Sequence, residues 1–277
     1  MSIQEIANLL IEAGVEKNEA NAEVKLLLEH FCNFRTIDIL MGKKLDTSKL
    51  NLVKEKVLER IKTGNPVQYI IGFSDFMGEK FIVNKNVLIP RDETEILVNK
   101  AIEIALKTNS KKILDIGTGS GCIACSIAKM IDGEILGVDI SAEALSVARE
   151  NSRRLILDKR VSFLQSDLFS NLESRKFDII VSNPPYIPPQ EKAHIQKEVL
   201  KEPDLALYTK DEKGLEFYEK IIQNAPKYLN TNGYILFELG IGQSEDVKNL
   251  LVKNGFKNIQ IEKDLANIDR VIFAKLG

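Results

Sequence analysis

The chain has 277 residues, 44% hydrophobic and 28% charged, with a formal net charge of −2 at pH 7, the make-up of an ordinary globular protein with room for two domains. No block of five like charges occurs, which argues against a nucleic-acid duplex as a direct partner, because neutralising phosphates takes a clustered basic face. The first fourteen residues lack the basic start and apolar centre of a signal peptide, and no apolar run approaches the ~18–20 residues of a membrane span, so a cytoplasmic protein without a membrane partner is expected.

Residues 1–64 read as helices only. Ser2 and Glu5 form a capping box ahead of an amphipathic helix carrying Ile6, Leu9, Leu10 and Ala13 on one face and stopping at Gly14. A second helix is expected over about Asn18–Phe31, and a short third near Thr36–Met41 before Gly42. A fourth begins near Thr47 or Ser48 and ends at Gly64, with Leu50, Val53, Val57, Leu58 and Ile61 at helical spacing. Acidic and basic side chains balance over this stretch, which suits a helical substrate-docking domain better than a phosphate clamp. Residues 65–90 read as a β-hairpin linker, with β-like pieces at Gln68–Gly72 and Lys80–Val83 and with Gly72 and Gly78 as punctuation.

From residue 91 to 277 helix and strand alternate. Helices are expected near Glu93–Lys107, Gly121–Ile131, Ser141–Leu155, Gly214–Leu229 and Ser244–Asn254. Strands are expected at Lys112–Ile116, Glu134–Asp139, Val161–Gln165, Asp178–Asn183, Tyr234–Leu239, Asn258–Glu262 and Arg270–Ala274. That rhythm predicts an α/β catalytic domain built on a seven-stranded, mostly parallel sheet, its last two strands antiparallel because only a short loop joins them. The stretch 184–213 shows no regular element, and a long loop after a strand usually serves a site. Cys32, Cys122 and Cys125 are too few and too oddly placed for a disulfide framework. Cys122 and Cys125 fall on one face of a helix and read as packing residues, and His30 and His194 lack ligand spacing, so no metal is expected.

Two segments carry chemistry. The first is the turn Gly117-Thr118-Gly119-Ser120-Gly121, directly after a strand that includes Asp115. Glycines there allow a tight turn and the close approach of a cofactor. The spacing G-x-G-x-G differs from the dinucleotide fingerprint G-x-G-x-x-G and resembles the cofactor loop of S-adenosylmethionine methyltransferases. Asp139 ends the following strand, where a carboxylate can accept both hydroxyls of a ribose, and Asp167 ends the next, where it can meet an exocyclic amine of adenine. The second segment is Asn183-Pro184-Pro185-Tyr186 at the end of an apolar strand. The Asn183 side-chain oxygen and the Pro184 carbonyl can each accept one N–H of a planar nitrogen, the prolines stiffen that geometry, and Tyr186 can stack on the flat group. Asn183, Pro184 and Tyr186 are therefore the catalytic candidates, working by orientation and electrostatics rather than through a strong base. His194 in the following loop is a weaker candidate base.

Together with Pro66–Gly72, Leu88–Glu95, Glu202-Pro203 and Ala206-Leu207, these segments make the chain resemble the HemK/PrmC family of release factor glutamine methyltransferases over nearly its whole length. The resemblance implies methyl transfer from S-adenosylmethionine to the side-chain amide nitrogen of the glutamine in the Gly-Gly-Gln motif of peptide chain release factors. It implies cofactor contacts from Gly117 to Gly121 and from Asp139, Leu168 and Asn183, and a grip on the glutamine by Asn183 through Tyr186. Asp92 stands where the family usually has proline, and Leu168 where some members carry an aromatic. The tetrad is shared with adenine-N6 and guanine-N2 methyltransferases, so a nucleic-acid amino-methyltransferase is the alternative; no base-recognition domain is visible for it. Nothing in the sequence calls for a partner copy, and a monomer is expected.

Overall fold

The computed structural model describes residues 2–277. Its chain divides into two compact units, the first reaching residue 73 and also taking in residues 196–201, the second made of residues 74–195 and 202–277.

The first unit is helical: α1 (Ile3–Glu12), α2 (Lys17–Cys32), α3 (Thr36–Leu40), α4 (Thr47–Thr63) and α5 (Val67–Ile71). The capping box at α1 is present in both directions, and α4 ends on Gly64 in the left-handed conformation that stops a helix. Ile6, Leu10, Val24, Leu27, Leu28, Val53 and Val57 close the core. An ion triad joins this unit, in which the buried Arg60 guanidinium reaches buried Glu23 at 3.1 Å and half-buried Glu198 at 2.7 Å. Gln68–Gly72, expected as a strand, is instead the single turn of α5. Pro66 fixes the entry at φ −52°, and Gly72 caps the exit at φ +82°. These ends decide against the β-branched and aromatic residues between them, and Val67, Ile70 and Ile71 pack on the helical core.

The hairpin that follows is β1 (Phe73–Phe76) and β2 (Glu79–Ile82), turned by Met77 and Gly78, both at positive φ. Such a two-residue turn matches the twist of its strands. The remaining elements are α6 (Thr94–Thr108), β3 (Lys112–Ile116), α7 (Cys122–Met130), β4 (Glu134–Asp139), α8 (Ala142–Arg154), β5 (Val161–Gln165), β6 (Phe177–Ser182), α9 (Asp204–Leu207), α10 (Glu216–Tyr228), β7 (Leu229–Glu238), α11 (Ser244–Lys253), β8 (Phe256–Lys263) and β9 (Asp269–Leu276). The stretch 184–213, expected to lack elements, holds 3₁₀ turns at Pro189–His194 and Val199–Lys201 as well as α9. All are too short to leave a periodic signature.

The seven strands lie in the order β5-β4-β3-β6-β7-β9-β8, with β9 antiparallel to both of its neighbours and the rest parallel. Alternate residues feed two cores. Ile113, Ile179, Val181 and Leu236 meet α6 and α7 on one face, while Leu114, Ile180, Ile235 and Phe237 meet α10 and α11 on the other. β3 and β6 are neighbours whose continuations run to opposite halves of the sheet. A crevice therefore opens beyond their C-terminal ends, at the topological switch point. The Ser182 hydroxyl donates to the Ile116 carbonyl across this seam at 2.7 Å.

Candidate active site

The glycine turn leaves β3 over a fully buried acid. Asp115 accepts the Thr118 hydroxyl at 2.6 Å, and burial pushes its pKa up to about 7. The amides of Gly117 and Thr118 both donate to the Val138 carbonyl at 2.9 Å, and the buried Asn151 amide donates to the Ser120 carbonyl and pairs with both backbone groups of Ile82. The loop is thus pinned to β4 and to the hairpin. Its glycines do different work. A Cβ on Gly117 would meet nothing within 4 Å, and one on Gly119 only the Gly117 carbonyl at that limit, so these two border open space. One on Gly121 would lie 3.0 Å from the Ala148 Cβ and 3.2 Å from the Phe163 ring. Gly121 therefore serves close packing.

Asp139 faces the turn from the end of β4. Its two oxygens accept the Gly119 and Ser141 amides, each at 2.9 Å. A carboxylate has about four lone-pair positions, so these bonds leave acceptor capacity for a ligand. Burial pushes its pKa up, and the backbone amides pull the other way. Beyond β5, Leu168 sits at φ +49°, a left-handed conformation rare for a side chain of this size. The Ser166 hydroxyl holds it there by donating to the Leu168 carbonyl at 2.9 Å.

At the end of β6, Asn183 is half-buried and its Nδ2 donates to the Thr94 hydroxyl oxygen at 3.3 Å. That hydroxyl donates in turn to Glu238 at 2.6 Å, and the Tyr186 hydroxyl reaches the other Glu238 oxygen at 3.4 Å. Glu238 ends β7 with 2% exposure, and burial pushes its pKa up to about 7. Burial and the neighbouring Glu238 also push the Tyr186 phenol up. Gln243 ties the far side of the tetrad: its Nε2 donates to the carbonyls of Tyr186 and Lys213 at 3.0 Å while its oxygen accepts the Gly240 amide at 3.1 Å.

Beside these residues lies a cavity of about 290 Å³. Gly117, Gly119, Asp139, Asp167, Leu168, Asn183, Pro184 and Pro185 line it; Thr118, Ser120, Gly121 and Tyr186 are not among the lining residues. Leu205 of α9 and Phe217 and Ile221 of α10 supply apolar wall that sequence reasoning missed, as it missed Thr94, Glu238 and Gln243. One signal for Glu238 was present, a lone carboxylate closing the apolar run Ile235-Leu236-Phe237. His194 is exposed on its 3₁₀ turn and is not among the lining residues. Cys122 and Cys125 are buried and free, and burial pushes the Cys122 thiol up to about 12, as befits packing residues.

An apolar cleft with open glycines and a carboxylate with acceptor capacity to spare fits a nucleoside bearing a ribose diol. A sheet in this strand order, with the glycine turn after its first strand and the acid after its second, is that of an S-adenosylmethionine-dependent methyltransferase. The methyltransferase small domain family matches residues 92–212, and the PrmC N-terminal domain family matches residues 2–72. The release factor glutamine methyltransferase of Flavobacterium psychrophilum is 38% identical, over 98% of this chain and 95% of its own. That of Geobacter sulfurreducens is 37% identical, over 97% and 93%. Among solved structures, a methyltransferase from Pyrococcus furiosus superposes with a TM-score of 0.52 at 18% identity, over 81% of this chain and 98% of its own, a likeness of fold alone. The chain belongs to the release factor glutamine methyltransferase family.

Proposed function

We propose that this protein moves a methyl group from S-adenosylmethionine to the side-chain amide nitrogen of the glutamine in the Gly-Gly-Gln motif of peptide chain release factors. The observation that carries the reading is the commitment of the Asn183 Nδ2 to Thr94, which leaves the Asn183 Oδ1 and the Pro184 carbonyl as acceptors beside the cavity. An amide NH₂ has two hydrogens and a delocalised lone pair. Two fixed acceptors hold it with the lone pair facing the methyl group, which is catalysis by position and local charge. The cofactor supplies an electrophilic methyl on a sulfonium. The N–C bond forms as the S–C bond breaks, and the methylated amide gives its extra proton to water, so no dedicated base is required.

Asp139 takes the ribose hydroxyls in this reading, Asp167 and Leu168 border the adenine, and Gly117 and Gly119 give the chain's closest approach. Tyr186 is held by its hydroxyl on Glu238. The first unit, which matches the PrmC N-terminal domain over residues 2–72, serves in this reading to dock the factor. We read the protein as a cytoplasmic monomer acting without direct nucleic-acid or membrane contact; among the described residues no helix is long and apolar enough to cross a membrane.

Transfer of labelled methyl from S-adenosylmethionine is the test, with intact release factor, a Gln→Ala factor, and DNA plus ribosomal RNA as parallel acceptors. Label on the intact factor alone is expected. Label on nucleic acid with none on the factor would replace this reading with base methylation. Asn183→Ala is expected to lower kcat about 100-fold or more, in the range seen when one transition-state hydrogen bond is removed, while cofactor binding measured by calorimetry persists.

A further inference from the structure

We propose that Glu238 is a positioning residue that sets, through the Thr94 hydroxyl, which end of the Asn183 amide a substrate meets. The proposal deepens the amide-methylation reading above and rests on it for its catalytic consequence.

An ionised carboxylate has no hydrogen, so both Glu238 oxygens can only accept. Thr94 has one hydroxyl hydrogen, and Glu238 takes it at 2.6 Å. The Thr94 oxygen is left with lone pairs alone to offer Asn183, which must answer with its NH₂, at 3.3 Å. The Asn183 Oδ1 is thereby kept for the substrate. Thr94 is 3% exposed and Glu238 2%, so water has little room to substitute for either bond. The Tyr186 hydroxyl donates to the second oxygen and favours the same all-accepting state of Glu238.

Protonation of Glu238 reverses the chain. The acid can donate to Thr94, Thr94 can then donate to the Asn183 oxygen, and the amide turns its NH₂ toward the cavity. A substrate nitrogen that itself offers hydrogens would then face a donor, and the acceptor is lost. Because Glu238 is pushed up to about 7 by burial, this reversal falls near neutral pH. The charged and titratable groups around it are Thr94's neighbour Glu93 at the start of α6, Tyr186 after β6, Cys122 at the start of α7, Tyr218 of α10 and Arg270 of β9. Glu93 raises Glu238, and Arg270, itself paired with Asp264 at 2.7 Å, lowers it. The Tyr218 hydroxyl is engaged with the Glu238 backbone carbonyl at 2.8 Å.

The experiment is a pH titration of the Asn183 side-chain NH₂ signals in ¹⁵N-asparagine-labelled full chain, without substrate, the signals being assigned by their loss in Asn183→Ala. They are expected to shift with a midpoint near pH 7 in the wild type and to stay put in Glu238→Gln. Signals that ignore pH in the wild type, or that still titrate in Glu238→Gln, overturn the proposal. Kinetics supply the second arm. Thr94→Val, which keeps shape and removes the hydroxyl, is expected to cost about tenfold or more in kcat, the scale of one lost hydrogen bond, with the KM for the factor and the cofactor Kd changed less than about threefold. Thr94→Ser restores most of the rate. A folded Thr94→Val with wild-type kcat overturns the relay. A wild type that leaves the factor unmethylated defeats the proposed function instead, and the NMR titration still decides the relay.

Discussion

Asp139 accepts the backbone amides of Gly119 and Ser141 and so shapes the glycine turn, and in the proposed function it also takes the ribose hydroxyls. Asp139→Ala is expected to raise the Kd for S-adenosylmethionine about 10–100-fold, since hydrogen bonds to a charged group contribute about 1.5–3 kcal/mol each. Isothermal titration calorimetry reads this, with kcat at saturating cofactor changing less than the Kd. Asp139 was legible in the sequence because its distance from the turn is fixed by one helix and one strand. Glu238 was not. Its partner Thr94 is 144 positions away, and Gln243 is 57 from Tyr186. Such pairs are created by the order of strands in the sheet and leave no local spacing to read. The roles within the turn were equally hidden: Gly117 and Gly121 look alike in the sequence, and only the neighbouring Ala148 and Phe163 make one a packing residue.

Among the elements, β4 supports the glycine turn through a glycine that sequence reading passed over. A Cβ on Gly137 would fall 2.7 Å from the Thr118 hydroxyl and 2.8 Å from the Phe163 ring. Gly137→Ala is therefore expected to cost about 1–3 kcal/mol through overpacking and to weaken cofactor binding by displacing Thr118 from Asp115. Thermal melting and calorimetry on the same variant check both effects; unchanged cofactor affinity with a lowered Tm would separate the loop from the strand. The strands and long helices of the second unit were readable because burial on one or both faces imposes a period. The α5 turn was misread because five residues carry no period, so composition pointed to strand while Pro66 and Gly72 decided for helix. The 184–213 segment hid its short turns for the same reason.

For the whole molecule, buried acids such as Asp115 and Glu238 shape the dependence of stability on pH. Asp115 and Glu238 are both pushed up to about 7, so between the ordinary carboxylate range and pH 7 the folded chain holds protons that the unfolded chain has released. Stability therefore falls as pH rises from about 4 to about 7 and levels off above. Acids such as Glu103, held down to about 2 by Lys100 and Lys107, act oppositely, and their contribution is lost only as pH falls below the usual carboxylate range. The Tm is expected to be higher near pH 5 than near pH 8, and Asp115→Asn to flatten part of that slope; a Tm that rises steadily from pH 5 to pH 8 contradicts the assignment.

The excursion of residues 196–201 into the helical unit means that the backbone crosses between the units three times, after residues 73, 195 and 201. No single peptide-bond cleavage can therefore release either unit whole. A fragment starting at residue 74 would carry Glu198 without Arg60, and the complementary piece would keep the Arg60–Glu23 pair but lack the second carboxylate. A protease nick near residue 73 should consequently leave two pieces that travel together through a sizing column until denaturant is added.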